Sequence, residues 1–209
     1  MKLYEFDVSR SMRVHWALRE AGVEFESVII DLTKGEHKTP EFLAINPYGK
    51  LPVLDDDGKL ISESAAITSY IAEKYPEKNL IPESQTIERA HYYQWMCFCI
   101  AEMEPHLWSI RKHMLIYPKA DRSRAAIKLA KQEYINAVGV INKHLQDREF
   151  MIDDRFTAAD IIICYDLFWA ASLKLLKNFP GLTEYVVRLQ NRPAFPGHLI
   201  KPGISKLIY

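Results

Sequence analysis

The sequence contains few cysteines, and they are not arranged for disulfides or for a metal site. Only Cys97, Cys99 and Cys164 occur among the 209 residues, without a CxxC pair. An odd, unpatterned set of this kind argues against a disulfide scaffold and is typical of a reducing cytoplasm. The seven histidines show no metal-ligand spacing either. We therefore expect a cytoplasmic protein without a bound metal.

Long apolar runs and an excess of one charge are also missing. The first ten residues, MKLYEFDVSR, lack the apolar stretch of a secretory signal. The most apolar run, AADIIICYDLFWAA, contains two aspartates and is too short to span a bilayer. Basic and acidic residues number 27 each, and the basic stretch 111–131 is interpreted as a solvated helix face. We expect neither a membrane nor a nucleic acid as partner.

The charge is nevertheless distributed unevenly along the chain. Residues 1–77 hold nine basic and fourteen acidic side chains, whereas the remainder holds eighteen and thirteen. This asymmetry, with the aperiodic, proline-containing stretch PEKNLIPES, predicts two domains. We place the first at 1–77, a linker at 78–86 and the second at 87–209.

The first domain alternates strands and helices. KLYEF and FESVIID are predicted strands, and LPVLDDDGKLI is a predicted hairpin that turns at Asp57-Gly58. Helices are predicted at Ser11–Ala21, after the Thr39-Pro40 start signal, and over SESAAITSYIAEKY. The order βαβαββα indicates an α/β sheet whose first two strands are parallel and whose hairpin is antiparallel.

The second domain is predicted to be entirely helical. Pro105 should interrupt a long helix over residues 85–114, and Asp121 is a plausible cap for the next helix. In FTAADI, Thr157 and Asp160 have the spacing of a capping box. This motif is interpreted as the start of a helix.

Two short motifs of the first domain can be interpreted either as purely structural or as part of a binding site. In GKLPVL, Pro52 cannot donate to a strand ladder, and the plain reading is a proline that begins a strand. In ISESAAI, Ser62 or Ser64 is the plain helix cap. The same helix start also favours an anion, because its N–H groups and dipole point outwards.

The chain resembles the cytosolic glutathione transferase family over essentially its whole length. Four motifs in order carry the resemblance: VSRSMRVHWALREAG, GEHKTPEFLAINPYGKLPVL, ISESAAI and FTAADI. The resemblance implies a thioredoxin-like domain followed by an all-helical domain. It also implies a detoxifying, homodimeric transferase whose co-substrate is glutathione and whose second substrate is a small apolar electrophile.

The resemblance implies a residue set for each part of glutathione. The Leu51–Pro52 bond should be cis and should leave Leu51 unpaired at a sheet edge for the cysteinyl backbone. Glu63 and Ser64 would hold the γ-glutamyl ammonium and carboxylate. Lys50 and His37 are candidates for the glycine carboxylate, and the alternative is that both are solvated loop residues.

Thiol activation should come from the DVSRS loop. Lowering a thiol pKa by two units takes about 2.7 kcal/mol, which one charge-assisted hydrogen bond and a helix N-terminus supply together. The resemblance assigns this role to Ser9, as in the serine-type, theta- and delta-like classes. Ser11 is interpreted as the helix cap, although it approaches the sulfur in some bacterial members. Arg10 stands where beta-class bacterial members carry cysteine, which argues against mixed-disulfide chemistry.

Several alternatives remain open. Tyr48 in NPYGKLP is either an aromatic key inserted into a partner subunit or a loop residue packed on its own domain. The helix with Met103, His106, Leu107 and Trp108 should supply part of the electrophile site. The rival functions are a regulatory protein that keeps the fold without transferase activity and a glutathione-dependent disulfide or peroxide reductase.

Overall fold

The computed structural model describes residues 1–7 and 9–200. Val8 of the DVSRS loop and residues 201–209, predicted as the end of the helical domain, lie outside the described residues. The described chain forms two compact units. Met1–Ile81 and residues 191–200 make the first unit, and Pro82–Gln190 make the second.

A four-stranded mixed sheet forms the centre of the first unit. Its strands are β1 (Lys2–Glu5), β2 (Glu26–Ile29), β3 (Val53–Asp56) and β4 (Lys59–Ser62), in the order β2-β1-β3-β4. β1 pairs with β2 in parallel, and β3 is antiparallel to both β1 and β4. The helices of this unit are α1 (Ser11–Ala21), α2 (Pro40–Ile45) and α3 (Ser64–Lys74). The predicted order βαβαββα is confirmed.

Local signals in the sequence account for the ends of these elements. Asp57 and Gly58 have φ angles of 52° and 80°, the left-handed pair that a two-residue hairpin turn requires. The Thr39 side chain caps α2 by accepting from the Phe42 N–H at 3.3 Å. Each cap lies within four residues of the element that it ends or begins.

Pro52 does not interrupt a strand, because β3 begins one residue later at Val53. No ladder donor is therefore lost, and the Leu51–Pro52 bond is cis, as expected. The expectation that Leu51 lies at a sheet edge is wrong, since β3 is flanked by β1 and β4. Leu51 instead precedes the paired residues at the end of an internal strand.

The second unit is helical, as predicted. Its helices are α4 (Ile87–Phe98), α5 (Glu104–Arg111), α6 (Arg124–His144), α7 (Ala158–Ser172) and α8 (Pro180–Gln190). Pro105 lies in the first turn of α5, directly after a π-helical turn over Cys99–Met103, so the long predicted helix is interrupted there. Asp121 does not cap α6, because Ser123 occupies that position and accepts from the Ala126 N–H at 3.2 Å.

The start of α7 is organised around a fully buried carboxylate. Asp160 and Thr157 form the predicted capping box. The carboxylate also accepts from the Met151 N–H at 2.8 Å and from the Tyr185 hydroxyl at 2.7 Å. Burial raises the pKa of Asp160 to about 6, although these hydrogen bonds act in the opposite direction. The capping box thus ties α7 to the preceding loop and to α8.

The segment after α8 packs on α1, which differs from the predicted domain boundary. Arg192 donates to the Glu20 carboxylate through Nε and Nη2, at 2.6 and 2.9 Å. Trp16 donates to the same carboxylate at 2.9 Å, and its ring meets Phe195 edge-on with centroids 5.0 Å apart. This bidentate pair and aromatic contact place the segment in the first unit.

Within residues 1–7 and 9–200, no helix has the length and apolar character that crossing a membrane requires.

Candidate functional site

The loop before α1 contains two serines that hydrogen-bond to each other. Ser9 Oγ lies 2.8 Å from Ser11 Oγ and 2.7 Å from the Phe6 carbonyl oxygen, and it accepts from the Ser11 N–H at 3.2 Å. Ser11 is fully buried, whereas Ser9 is only half-buried. The prediction that Ser11 caps α1 is wrong, because Ser11 is its first residue and Arg10 occupies the cap position. Ser9 is therefore the more accessible hydroxyl of the two.

A second group lies at the start of α3. The cap position belongs to Glu63, which makes no side-chain capping bond, so the plain reading of Ser62 or Ser64 as the cap is wrong. Glu63 has φ 70° and ψ 109°, a conformation that non-glycine residues rarely adopt and that occurs preferentially at functional sites. Ser64 is the first helical residue and is buried. Its position brings the N-terminal N–H groups and a hydroxyl to one place.

A third group is positively charged and lies near the NPYGKLP loop. Gly49 has φ +62°, and a Cβ at this position would lie 2.7 Å from the His37 carbonyl oxygen, so only glycine allows this close approach. The approach brings Lys50 near His37. Burial lowers the pKa of His37, and the charges of Lys38 and Lys50 lower it further. The positive charges of Lys38 and Lys50 beside His37 favour binding of an anion at this loop.

Comparison with known proteins identifies the fold and the family. The family profile "Glutathione S-transferase, N-terminal domain" matches residues 1–73, and "Glutathione S-transferase, C-terminal domain" matches residues 88–193. The chain belongs to the glutathione S-transferase family. Its predicted fold class, thioredoxin-like and then all-helical, is thereby confirmed, whereas membership of the serine-type subclass stays a prediction.

Individual relatives of the transferase agree with this assignment. "Glutathione S-transferase F10" of Arabidopsis thaliana is 36% identical over 196 residues, which cover 91% of this chain and 81% of that protein. "Glutathione S-transferase GstA" of Escherichia coli O157:H7 is 28% identical over 208 residues, which cover 98% and 100%. The structure of a sphingomonad glutathione S-transferase complexed with glutathione has a TM-score of 0.84 at 29% identity, covering 99% and 100%.

Sequence reasoning missed one polar residue of the transferase. Arg13 lies within the motif VSRSMRVHWALREAG and was given no role, yet it is fully buried and its Nη1 donates to Ser64 Oγ at 3.2 Å. A signal was present, because Arg13 lies four residues before Ala17, on the face that α1 buries. A charged residue is almost never fully buried without a partner, so its position indicates a polar contact within the fold.

The remaining candidates differ in their surroundings. The Tyr48 side chain is 71% exposed, so it is not packed on its own unit, and Lys50 Nζ lies 5.5 Å from its ring centroid. On the helix expected to contribute to the electrophile site, Met103 and Leu107 are fully buried, whereas His106 and Trp108 are partly accessible.

In residues 1–7 and 9–200, no three His, Cys, Asp or Glu side chains come together as ligands of a metal ion would. The absence of a metal from the transferase stays a prediction.

Proposed function

We propose that this glutathione transferase holds the γ-glutamyl end of glutathione at the N-terminus of α3. The helix dipole and the unpaired N–H groups of the first turn favour the γ-glutamyl carboxylate. Ser64 adds a hydroxyl donor at the same point, and the Glu63 carboxylate is the complement for the ammonium group. The unusual φ of Glu63 supports this assignment, since such conformations are retained where function requires them.

The rest of the peptide is assigned to two further segments. The cysteinyl backbone hydrogen-bonds to the main chain of Leu51, which lies next to Pro52 and ahead of the first paired residue of β3, Val53. The glycine carboxylate binds near His37 and Lys50, because the positive charges of Lys38 and Lys50 are close enough to His37 to lower its pKa in addition to the effect of burial. Glutathione is then bound at both carboxylates and along its backbone.

Ser9 is the group that stabilises the thiolate. The Ser11 N–H donates to Ser9 Oγ, and Ser9 Oγ in turn donates to Ser11 Oγ at 2.8 Å. When the Ser9 proton turns to the sulfur, this hydroxyl contact reverses and Ser11 donates to Ser9 Oγ. Hydrogen bonds arranged in a chain strengthen one another, so Ser11 makes Ser9 a better donor. The activated thiolate attacks the electrophile, the carbon–sulfur bond forms, and the leaving group departs. The protein itself forms no covalent intermediate.

The observation that carries the proposal is the Ser9–Ser11 hydrogen-bond pair at the start of α1 in a chain of this family. The test is isothermal titration with reduced glutathione of the wild type and of Ser64→Ala. Binding between about micromolar and millimolar Kd, weakened in the variant, is the expected result. Absence of binding to the wild type contradicts the proposal.

Turnover measurements separate the reaction classes. Conjugation of an aryl chloride that outpaces reduction of a small disulfide and of a hydroperoxide is expected. Faster reduction of the disulfide or of the hydroperoxide would instead indicate that the protein is a glutathione-dependent reductase.

We further propose that the transferase is a cytoplasmic homodimer and that Tyr48 is the residue inserted into the partner subunit. Its 71% exposure supports this, because an aromatic side chain left in solvent is the type of group that anchors an interface. Sedimentation of the wild type and of Tyr48→Ala is the test. If the wild type sediments as a monomer, the proposal of a homodimer is contradicted. If Tyr48→Ala remains a dimer like the wild type, Tyr48 is not the residue that anchors the interface.

A further inference from the structure

Arg13 places a permanent positive charge directly behind the first residue of α3. Its side chain is fully buried, and Nη1 donates to Ser64 Oγ at 3.2 Å across 51 residues of sequence. A guanidinium stays protonated at every pH of interest, and burying it costs free energy that hydrogen bonds only partly return. A neutral side chain of similar volume would fill the same space at lower cost. The charge therefore calls for an explanation beyond packing.

Ser64 is held from two directions. Arg13 donates to its hydroxyl oxygen, and Thr68 Oγ1 donates to its carbonyl oxygen at 2.5 Å. A hydroxyl has one proton and two lone pairs, so an oxygen that accepts from arginine keeps its own proton for donation elsewhere. Arginine has no acceptor and cannot receive that proton. Ser64 therefore keeps its hydroxyl proton for donation to a group on its remaining side.

We propose that Arg13 is a positioning residue for the γ-glutamyl carboxylate of glutathione, acting through Ser64. It directs the Ser64 hydroxyl proton towards the carboxylate and adds a full positive charge to the partial charge of the α3 N-terminus. Because Arg13 is fully buried, it does not touch the ligand itself. This inference rests on the proposed function, since it concerns the same site.

If Arg13 positions Ser64 in this way, replacing Arg13 should weaken the binding of the γ-glutamyl carboxylate and of no other part of glutathione. Replacing Arg13 by lysine keeps a positive charge but loses the planar fork that reaches Ser64. We expect the Kd for glutathione to rise about tenfold, which corresponds to about 1.4 kcal/mol. The value of kcat at saturating glutathione should change little, because the sulfur is activated by Ser9 on another element.

The experiment uses two peptides and titration calorimetry of the full-length protein. One peptide is glutathione, and the other is 4-aminobutanoyl-cysteinylglycine, which lacks only the α-carboxylate of the γ-glutamyl group. The wild type should prefer glutathione strongly, and Arg13→Lys should lose about a factor of ten of that preference. The double variant Arg13→Lys/Ser64→Ala should be no worse than Ser64→Ala alone, because Arg13 acts through Ser64.

Controls separate this role from a structural one. Arg19→Lys, a conservative change elsewhere on α1, should leave the ratio of the two Kd values at the wild-type level. A merely structural Arg13 would lower the melting temperature and weaken both peptides equally, and an unchanged ratio overturns the inference. If Arg13→Lys does not fold, Arg13→Gln, which keeps an N–H donor without the charge, replaces it. If the wild type does not bind glutathione, the proposed function fails together with the inference.

Discussion

Replacing Ser9 by alanine tests the proposed activation of the thiol most directly. The half-buried Ser9 hydroxyl is the donor assigned to the sulfur, and alanine removes it without adding bulk. A hydrogen bond to a charged group contributes about 1.5–3 kcal/mol, and one pKa unit corresponds to about 1.4 kcal/mol. The pKa of bound glutathione should therefore rise by about one to two units. At a pH below that pKa, the thiolate fraction and kcat/KM should fall about 10- to 100-fold.

The assay is the ultraviolet absorbance of the thiolate of bound glutathione, titrated against pH at saturating concentration. Ser11→Ala should raise the pKa by much less than Ser9→Ala, because cooperative strengthening is only about 10–30% per bond. Ser69→Ala is the matched control, since the Ser69 hydroxyl donates to the Ala65 carbonyl oxygen at 2.9 Å within α3. An unchanged thiol pKa in Ser9→Ala, with normal affinity for glutathione, would refute the assignment of Ser9.

Three further predictions concern stability and pH dependence. Asp160→Ala should lower the free energy of unfolding by more than about 3 kcal/mol in denaturant titration, because the buried donors of Met151, Thr157 and Tyr185 lose their acceptor. Arg192→Ala should lower it by about 1–3 kcal/mol, since the bidentate bond to Glu20 is lost. S-methylglutathione, which has no thiol to ionise, should bind more weakly as the pH rises through the range in which His37 loses its proton. The free pKa of His37 is depressed, a bound carboxylate raises it, and binding therefore takes up a proton that is lost at higher pH.

Each of these predictions has a matched comparison. Asp147→Ala, at an exposed position, should leave the free energy of unfolding unchanged, and an equal loss would contradict the role of Asp160. Arg148→Ala removes an exposed bond to the His144 carbonyl and should cost less than Arg192→Ala. In His37→Asn, the Kd of S-methylglutathione should be independent of pH over the same range. If the Kd of S-methylglutathione for the wild type does not depend on pH, His37 does not bind the carboxylate.

Much of the fold was predictable because its determinants are local. Asp57-Gly58 allows a left-handed turn, Thr39-Pro40 begins α2, and the Thr157–Asp160 pair begins α7. Each signal acts between residues at most four positions apart, so its effect does not depend on the rest of the fold. Even among these local signals, the sequence offers more than one candidate for a cap, and the structure shows that Ser123 and not Asp121 caps α6.

The parts of the candidate site that lie within recognisable sequence motifs were predictable. The resemblance identified Pro52, Glu63 and Ser64, and the Leu51–Pro52 bond has the expected cis form. The relation of Ser9 to Ser11 was not predictable, because it depends on where α1 begins. A shift of one position decides which hydroxyl is buried and which is accessible.

The sequence by itself determined the types and order of the helices and strands, the caps of α2 and α7, and the family to which the chain belongs. Only the tertiary structure decided that Arg13 meets Ser64 across 51 residues and that Arg192 returns to Glu20 across 172. The physical reason is the range of the interactions. Caps and turns are satisfied within a few residues of chain, whereas a buried charge or an ion pair finds its partner only when packing brings distant elements together.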